Sequence, residues 1–371
     1  MPASNLQLRK GVGGGKLRIG QVPPLWTPIP PNTYGGIELM VHLLTEELVR
    51  QGHEVTLFGT GDSRTSAKLE PVCELNMLDY MASTEACVYE AYANAAVARV
   101  LARAADFDVL HFHIGMHWLP FATLSQTACL FTIHTFPSYD DRWLARNFPG
   151  VALAGISRYQ AGQLTEGTKR EIPVVHNGCD FGAFEPRFEA GGYLAFLGRM
   201  SHDKNPLDAI RIAREAGMPI VLAGQAQQAK EEAYFEKEIR PLIDGESVRY
   251  IGPVNHAQKN ELLRNAAALV FPIQWPEPFG LVMIEAMACG TPVIAFNRGS
   301  VPEVIDHGLT GFVVEDEAEA VAAVPRLASL SRTAIRQCFE RRFSSRRMAE
   351  DYLSLYQRLA IKPRANLRVV T

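Results

Sequence analysis

The sequence predicts an α/β protein that contains two doubly wound parallel sheets. Short apolar segments of strand length alternate with segments whose apolar residues recur every three to four positions, as in βα units. This alternation restarts near residue 190, and 371 residues suit two domains of ordinary size. We therefore expect two Rossmann-like domains in tandem, with ligands at the carboxyl ends of the strands.

The first half of the chain alternates strands with two long helices. Apolar segments predict strands at 16–22, 53–59, 109–114, 129–134, 151–156 and 173–175. A proline-rich loop and the Gly35–Gly36 pair precede the first helix, whose apolar residues keep helical spacing up to about Gln51. The second helix is predicted at 83–105. Residues 1–15 are rich in glycine and are predicted to be a flexible lead.

The second half repeats this arrangement. Strands are predicted at 193–197, 220–223, 248–251, 268–271 and 292–296, with helices between them. A last helix, at about 346–360, has no strand after it. The predicted division of the chain is 1–15 for the lead, 16–180 for the first domain, 181–345 for the second domain and 346–371 for a terminal segment.

Composition and charge argue against several classes of protein. Hydrophobic residues make up 47% of the chain and the formal net charge is −3, so the charge gives no reason to expect nucleic acid as a partner. The six cysteines are scattered without a C-x-x-C pair, which is typical of a reducing compartment. We see neither a signal peptide nor an apolar segment of about 20 residues, and this predicts a soluble, cytoplasmic protein.

A basic cluster near the C-terminus contains four arginines, Arg341, Arg342, Arg346 and Arg347. Such a cluster is able to contact anionic lipid, but we interpret it as a solvated helix face. Peripheral membrane contact therefore stays an alternative that the sequence does not favour.

The segment at 275–293 is the most informative, because Glu277 and Glu285 lie eight positions apart in it. A Phe279–Gly280 turn lies between them, at the predicted start of a helix that ends at Gly290. The first N–H groups of a helix have no intrahelical partner, so this end favours phosphate. Carboxylates repel phosphate but accept hydrogen bonds from hydroxyls. A nucleotide sugar carries both kinds of group.

The two glutamates resemble the E-x7-E motif of retaining glycosyltransferases of family 4, which have the GT-B fold. Three further motifs follow that family's order over nearly the whole chain: Tyr-Gly-Gly-Ile-Glu at 34–38, Asn-Gly-Cys-Asp at 177–180, and Gly198–Arg199 with Lys204–Asn205. The resemblance implies two domains that face a cleft, with the last helix crossing back to the N-terminal domain. It also implies that the nucleotide sugar binds mainly to the C-terminal domain.

Arg199 and Lys204 are candidates for binding the diphosphate. They follow the strand at 193–197, at its ligand-facing end. A guanidinium fork and an ammonium group together bind two phosphates and stabilise the leaving diphosphate. Nearly all the neighbours of Glu285 in the sequence are apolar, so we expect a buried carboxylate with specific partners there.

The resemblance assigns roles to the other positions. Glu285 would bind ribose hydroxyls, and Glu277 would contact the transferred sugar and help to stabilise positive charge at its anomeric carbon. His134 would contact the primary hydroxyl of the donor hexose. Backbone groups complete the site, with the donor contacted by Gly35, Gly36, Phe279, Gly280 and Leu281 and the base contacted by Gly252, Pro253 and Val254.

Several histidines lie in or next to the predicted strands of the first half of the chain. Strand alternation places His111 and His113 on one face, near His117, as in some zinc sites. No supporting carboxylate is evident nearby, so we favour a structural role.

His176 stands where similar proteins more often have proline, which affects the expected loop shape. The segment that ends at Glu303 resembles an S-x-P-E motif, to which we assign a structural role.

These features together predict a metal-independent, retaining hexosyltransferase that uses no cofactor. Its donor would be a nucleoside diphosphate hexose, with UDP-glucose preferred because it is common; the acceptor is unidentified, and no motif indicates the oligomeric state. The alternatives are a nucleotide-sugar epimerase of the same architecture and a non-catalytic nucleotide-sugar-binding protein. An NAD-dependent oxidoreductase is disfavoured, since no G-x-G-x-x-G follows the first strand.

Overall fold

A computed structural model describes residues 15–32, 35–83, 88–166 and 170–361. It contains two six-stranded parallel sheets with helices between their strands. This architecture confirms the predicted α/β class and the restart of the pattern in the second half of the chain.

Six strands build the first sheet: β1 (Arg18–Val22), β2 (Glu54–Leu57), β3 (Lys68–Leu69), β4 (Val109–Phe112), β5 (Ala128–Ile133) and β6 (Ala152–Gly155). Their order is β3-β2-β1-β4-β5-β6. In the middle of this sheet, Ile19 of β1 lies opposite Val55 on one side and Val109 on the other. The winding therefore reverses between β1 and β4, and ligands bind sheets of this kind at that point.

Five helices accompany these strands: α1 (Gly36–Arg50), α2 (Met77–Ser83), α3 (Tyr89–Ala102), α4 (Tyr139–Asn147) and α5 (Arg158–Thr165). The prediction of a single helix at 83–105 is wrong, because α2 ends at Ser83 and α3 covers only the middle of the predicted range. Val88 is extended, with φ −110° and ψ 109°, and the buried stripe of α3 begins at Tyr89. Tertiary packing of that stripe determines where the helix forms.

Six further strands build the second sheet: β7 (Tyr193–Leu197), β8 (Ile220–Ala223), β9 (Val248–Tyr250), β10 (Ala266–Phe271), β11 (Val293–Phe296) and β12 (Gly311–Val314). Their order is β12-β11-β10-β7-β8-β9, so the winding reverses between β7 and β10. The bounds of β7 and β8 agree with the sequence prediction at both ends.

One strand prediction is wrong, and two strands were missed. Residues 173–175 form no strand, since Val174 makes only an isolated bridge with Gly155. Pro173 has no N–H group to donate to a ladder, which limits pairing there. The two-residue strand β3 and the strand β12 were not predicted.

Eight helices follow: α6 (Pro206–Glu215), α7 (Ala229–Tyr234), α8 (His256–Arg264), α9 (Leu281–Ala288), α10 (Val301–Val304), α11 (Glu317–Ala323), α12 (Arg332–Arg342) and α13 (Ser345–Ile361). Leu269 and Phe271 of β10 pack in one apolar cluster with side chains of α9 and α12. Ala268 and Val270 pack in another cluster with side chains of α6. Alternate residues of this buried strand thus fill two faces, as expected for a doubly wound sheet.

Contacts divide the chain into two compact units. Among the described residues, the first unit contains those up to Thr132, those at 143–153 and those from Ala349 onward. The second unit contains residues 133–142 and 154–348. The domain limits expected near residues 180 and 345 stay predictions.

The last helix, α13, contributes its C-terminal part to the first unit. The hydroxyl of Tyr356 lies 3.3 Å from Nε2 of Gln21 and 2.6 Å from Nδ1 of His111. The hydroxyl of Tyr352 lies 3.0 Å from Oγ1 of Thr132. These bonds attach α13 to β1, β4 and β5. No helix among the described residues has the length and apolar composition that crossing a bilayer requires.

Candidate functional site

The N-terminus of α9 follows a tight turn at Gly280. This glycine has φ 78° and ψ 70° and is the N-cap of the helix, which lacks a side-chain cap. A Cβ at Gly280 would lie 2.7 Å from Cε of Met283, the flexible end of that side chain, so it is the positive φ that requires glycine. The turn directs the positive end of the helix dipole into the loop, where it favours an anion.

Glu277 lies in that loop and is only 9% exposed. Its Oε2 accepts hydrogen bonds from Nζ of Lys204 at 2.5 Å and from Nε1 of Trp275 at 2.8 Å. Its carbonyl accepts a bond from the N–H of Ser300 at 3.0 Å. A Cβ at Gly299 would collide with the backbone of Glu277, so this close approach depends on glycine. The contacts of Trp275 and Gly299 with Glu277 were not predicted from the sequence.

Lys204 is fixed by the start of α6. Asn205, with φ 59°, is the N-cap of this helix, and its side chain donates to the carbonyl of Pro272 at 3.2 Å. The ammonium of Lys204 lies 5.5 Å from the ring centre of Trp275 and 5.8 Å from that of Phe271. Two aromatic faces and one carboxylate therefore surround this cation, and its side chain is 16% exposed.

Arg199 has a partner that was not predicted from the sequence. Its guanidinium donates to Oε1 of Glu231 at 2.8 Å, and Glu231 is 4% exposed. The other oxygen of Glu231 accepts a bond from the N–H of Gln227 at 2.8 Å. Glu231 belongs to the charged first turn of α7, a pattern that in sequence is indistinguishable from a solvated surface.

Glu285 lies on α9 and is 7% exposed, as its apolar sequence neighbours predict. Nζ of Lys259, on α8, forms an ion pair with Oε1 of Glu285. Lys259 is also 5.5 Å from the ring centre of Phe184. Burial by itself would lower the pKa of Lys259, but the Glu285 carboxylate outweighs this effect and the pKa is raised. The sequence predicted that Glu285 needs a partner but did not identify it.

Other predicted positions of the second unit lie near strand ends or in the same loop. Phe279 is buried, and its carbonyl accepts a bond from the hydroxyl of Ser300 at 2.9 Å. Leu281 is the first residue of α9. The base-binding candidates Gly252, Pro253 and Val254 follow β9, where the carbonyl of Gly252 accepts a bond from the N–H of Gly224 at 2.8 Å. Their contact with a base stays a prediction.

Gly35 and Gly36 lie in the first unit, at the start of α1. Gly35 is the N-cap of this helix, which also lacks a side-chain cap. The Cβ position of Gly35 would be 3.0 Å from Oγ1 of Thr27 and 3.1 Å from Oε2 of Glu38. Tyr34 of the same motif lies outside the described residues. The predicted contact of these glycines with a diphosphate stays a prediction.

His134 directly follows β5 and belongs to the second unit by its contacts. Burial lowers the pKa of His134 to about 4. The imidazole is therefore neutral at pH 7, so that one ring nitrogen donates a hydrogen bond and the other accepts one. This state suits a sugar hydroxyl, although its contact with a donor hexose stays a prediction.

His111 and His113 are buried in the first unit. Besides its bond to Tyr356, His111 uses Nε2 in a 2.7 Å hydrogen bond with Oγ1 of Thr132. Nε2 of His113 bonds Oε1 of Gln21 at 2.8 Å. Both ring nitrogens of His111 are thus engaged with side chains of the sheet and of α13, which is the structural role that we favoured.

The segment at 177–180 pairs with the residues that precede α13. The N–H of Cys179 donates to the carbonyl of Phe343 at 2.8 Å, and the N–H of Ser345 donates to the carbonyl of Cys179 at 2.9 Å. A Cβ at Gly178 would lie 2.6 Å from the carbonyl oxygen of Ser344. The glycine of this motif is therefore required by the close approach of two backbones.

The basic cluster is only partly a solvated face. Arg341 and Arg346 are exposed, as expected. The expectation is wrong for Arg342, which donates to Oδ2 of Asp306 at 2.8 Å, and for Arg347, which donates to the carbonyl of His176 at 2.7 Å. These two bonds hold Arg342 and Arg347 against the fold instead of leaving them as freely solvated cations.

Glu303 connects the S-x-P-E segment to α5. Its carboxylate accepts bonds from the N–H groups of Arg158 and Tyr159, each at 2.7 Å, and contacts Nε2 of His176 at 3.2 Å. Burial alone would raise the pKa of Glu303, but these bonds outweigh burial and lower it. The glutamate caps a helix N-terminus, in agreement with the structural role assigned to the motif.

Two family models match consecutive parts of the chain. The model described as Glycosyltransferase Family 4 matches residues 34–182, and the model described as Glycosyl transferases group 1 matches residues 183–337. The chain belongs to the family 4 glycosyltransferases. All four motifs of the sequence analysis lie within the matched ranges of this glycosyltransferase.

Known proteins resemble the glycosyltransferase over most of its length. Glycogen synthase of Mycobacterium tuberculosis is 26% identical, over 80% of this chain and 83% of that protein. The solved structure of AviGT4, a glycosyltransferase involved in avilamycin A biosynthesis, is 28% identical, with a TM-score of 0.71 over 93% of this chain and 98% of that one. Anabaena Alr3699/HepE, solved with UDP-glucose, is 17% identical and shares the fold, with a TM-score of 0.70 over 92% of this chain and 100% of that one. The glycosyltransferase is thus a GT-B enzyme, a hexosyltransferase.

Proposed function

We propose that this glycosyltransferase moves a hexose from a nucleoside diphosphate hexose to an acceptor hydroxyl and retains the anomeric configuration. The observation that carries the proposal is the ion pair of Lys204 and Glu277, 2.5 Å apart, beside the uncapped N-terminus of α9. A cation, a helix N-terminus and a carboxylate in one loop provide for phosphate and for sugar hydroxyls together.

The diphosphate would bind to the cations and to the backbone at the start of α9. An ammonium group has three donors, so Lys204 is able to bind a phosphate oxygen while it keeps its bond to Glu277. Arg199 would bind the second phosphate, with Glu231 holding its guanidinium in place. These charges stabilise the diphosphate as negative charge develops on it.

In the reaction, the bond between the anomeric carbon and the phosphate oxygen breaks, and the acceptor oxygen forms a bond on the same face of the sugar. The acceptor proton passes to an oxygen of the leaving diphosphate, so no separate protein base is needed. Glu277 would accept hydrogen bonds from sugar hydroxyls and lower the energy of the positive charge at the anomeric carbon. His134, neutral at pH 7, would bind a hydroxyl of the hexose.

UDP-glucose is the donor that we propose first. It is a common sugar nucleotide, and it is the ligand in the Alr3699/HepE structure. The ribose would bind to Glu285 and the base to the backbone of Gly252, Pro253 and Val254.

We propose that no divalent metal takes part, since Arg199 and Lys204 supply the positive charge. Dialysis against a chelator should then leave activity unchanged, and loss that magnesium or manganese restores would contradict this.

A cytoplasmic location is also part of the proposal. The thiols of Cys179, Cys289 and Cys338 are free. Free thiols are compatible with a reducing compartment.

A turnover assay tests the proposal. The purified protein is incubated with UDP-glucose, or with other sugar nucleotides, and with a panel of hydroxyl acceptors. We expect release of the nucleoside diphosphate that depends on the acceptor, and proton NMR of the first product should show an α-linkage from an α-linked donor. A β-linked product would contradict retention. An epimerase would act without an acceptor, and a non-catalytic protein would bind the donor without turnover.

A further inference from the structure

Lys259 is a partly buried cation that the motifs of the family do not include. It lies on α8, a helix that begins with a capping box formed by Asn255 and Gln258. Its side chain is 19% exposed, and the carboxylate of Glu285 that it contacts is 9% exposed. Two charges shielded from water to this degree require each other, because an unpaired charge in such surroundings is strongly destabilising.

The surroundings of this pair offer little other compensation. The ring of Phe184 lies 5.5 Å from Nζ of Lys259. Besides Glu285, the ionisable groups whose charge acts on Lys259 are the buried thiols of Cys179 and Cys289, and burial raises the pKa of both. Both thiols are thus neutral at physiological pH. Among the described residues, Lys259 is the one salt-bridge partner of Glu285.

Lys259 leaves most of the carboxylate available. An ionised carboxylate has about four acceptor positions on its two oxygens, and the ammonium occupies one of them, on Oε1. The remaining positions are sufficient for two vicinal hydroxyls. A protonated carboxyl group, in contrast, would have to donate one hydrogen bond and would accept fewer.

We propose that Lys259 is a positioning residue for the donor: its ammonium holds the carboxylate of Glu285 in the orientation that accepts hydrogen bonds from both ribose hydroxyls. This inference rests on the proposed function, which places the ribose at Glu285. It assigns to Lys259 a role in the selection of ribonucleotides over nucleotides that lack ribose hydroxyls.

Removal of the cation should make ribose recognition depend on pH. A carboxylate left in apolar surroundings without a counter-charge takes up a proton more readily. In Lys259→Met the carboxyl group of Glu285 would therefore be protonated as the pH falls, and affinity for the ribose hydroxyls would fall with it. Lys259→Arg keeps the positive charge and should retain most of the recognition.

The experiment measures binding of UDP and of 2′,3′-dideoxy-UDP to the full chain by calorimetry, at pH 6 and pH 8. The wild type should prefer UDP by about tenfold or more, the scale of hydrogen bonds to a charged group. Lys259→Met should reduce this preference to about twofold at pH 6 and recover part of it at pH 8. Lys237→Met, at an exposed position, is the matched control and should behave as the wild type does.

The outcomes separate this inference from the proposed function. If the wild type binds UDP and Lys259→Met keeps the full preference at both pH values, the positioning role is wrong while the proposed function stands. If Lys259→Met fails to fold, Lys259→Arg at pH 6 decides, and a loss of preference in that folded variant also contradicts the role of the charge. If the wild type binds none of the three nucleotides UDP, GDP and ADP, the proposed function is wrong and this inference is wrong with it.

Discussion

Nζ of Lys204 and Oε2 of Glu277 lie 2.5 Å apart although 73 positions separate the two residues in the chain. One follows the first strand of the second sheet and the other precedes α9. Each of the predicted donor-binding charges of the second unit has such a partner, since Arg199 pairs with Glu231 and Glu285 pairs with Lys259.

Lys204→Ala should reduce transfer by a factor of about 100 or more, because the variant loses one fixed charge that stabilises the leaving diphosphate. It also leaves the carboxylate of Glu277 without its cation. Initial rates at saturating donor measure the loss, and circular dichroism verifies the fold. Lys237→Ala, at an exposed position, is the control. Near wild-type turnover in a folded Lys204→Ala protein would remove Lys204 from the proposed site.

Glu231→Gln should raise the donor KM about tenfold. The change keeps the shape of the side chain but removes the charge that holds Arg199, and a hydrogen bond between charged groups contributes about 1.5–3 kcal/mol. Donor titrations of the initial rate measure KM. The neighbouring Glu232 is exposed on the same helix, so Glu232→Gln is the matched control. Equal KM values for the two variants would show that Glu231 does not orient Arg199 for the donor.

Gly280→Ala should destabilise the protein by about 1–3 kcal/mol, because the backbone of an alanine at φ 78° is strained. We also expect a loss of activity, since the turn positions the N-terminus of α9. Thermal melts and turnover assays measure the two effects. Gly162→Ala, in α5 with open space around the new Cβ, should instead be neutral or stabilise by about 0.5–1 kcal/mol. Similar melting temperatures for both variants would contradict the strain argument.

Glu303→Gln should lower the melting temperature at pH 7, and this difference should shrink as the pH falls below 4.5, the ordinary pKa of a glutamate. The folded state lowers the pKa of Glu303 below its ordinary value of 4.5. Its ionised form therefore stabilises the fold above that value, and the contribution is lost as pH falls through the folded pKa. Melting curves from pH 7 to pH 3.5 measure the trend. Glu166→Gln, at the other end of α5, is the control. A difference that is independent of pH would refute this assignment.

The sequence by itself determined the fold class, most of the strands and the family. Strands such as β7 and β8 are visible because a strand buried on both faces is a short apolar segment between turn residues. The turn at Gly280 is visible because a glycine before an apolar helix is a local signal. The same reasoning failed at 83–105, where packing against the sheet, and not local propensity, determines where α3 begins.

Only the tertiary structure decided which charges meet. Glu231 lies 32 positions from Arg199, and Lys259 lies 26 positions from Glu285. Both partners belong to helices with several charged residues, whose sequences are also typical of a solvated surface. Which of these charges is buried depends on how α7 and α8 lie beside the ends of the strands. The physical reason is that the interaction of two charges depends on the distance between them in space. The separation of two residues along the sequence does not determine that distance.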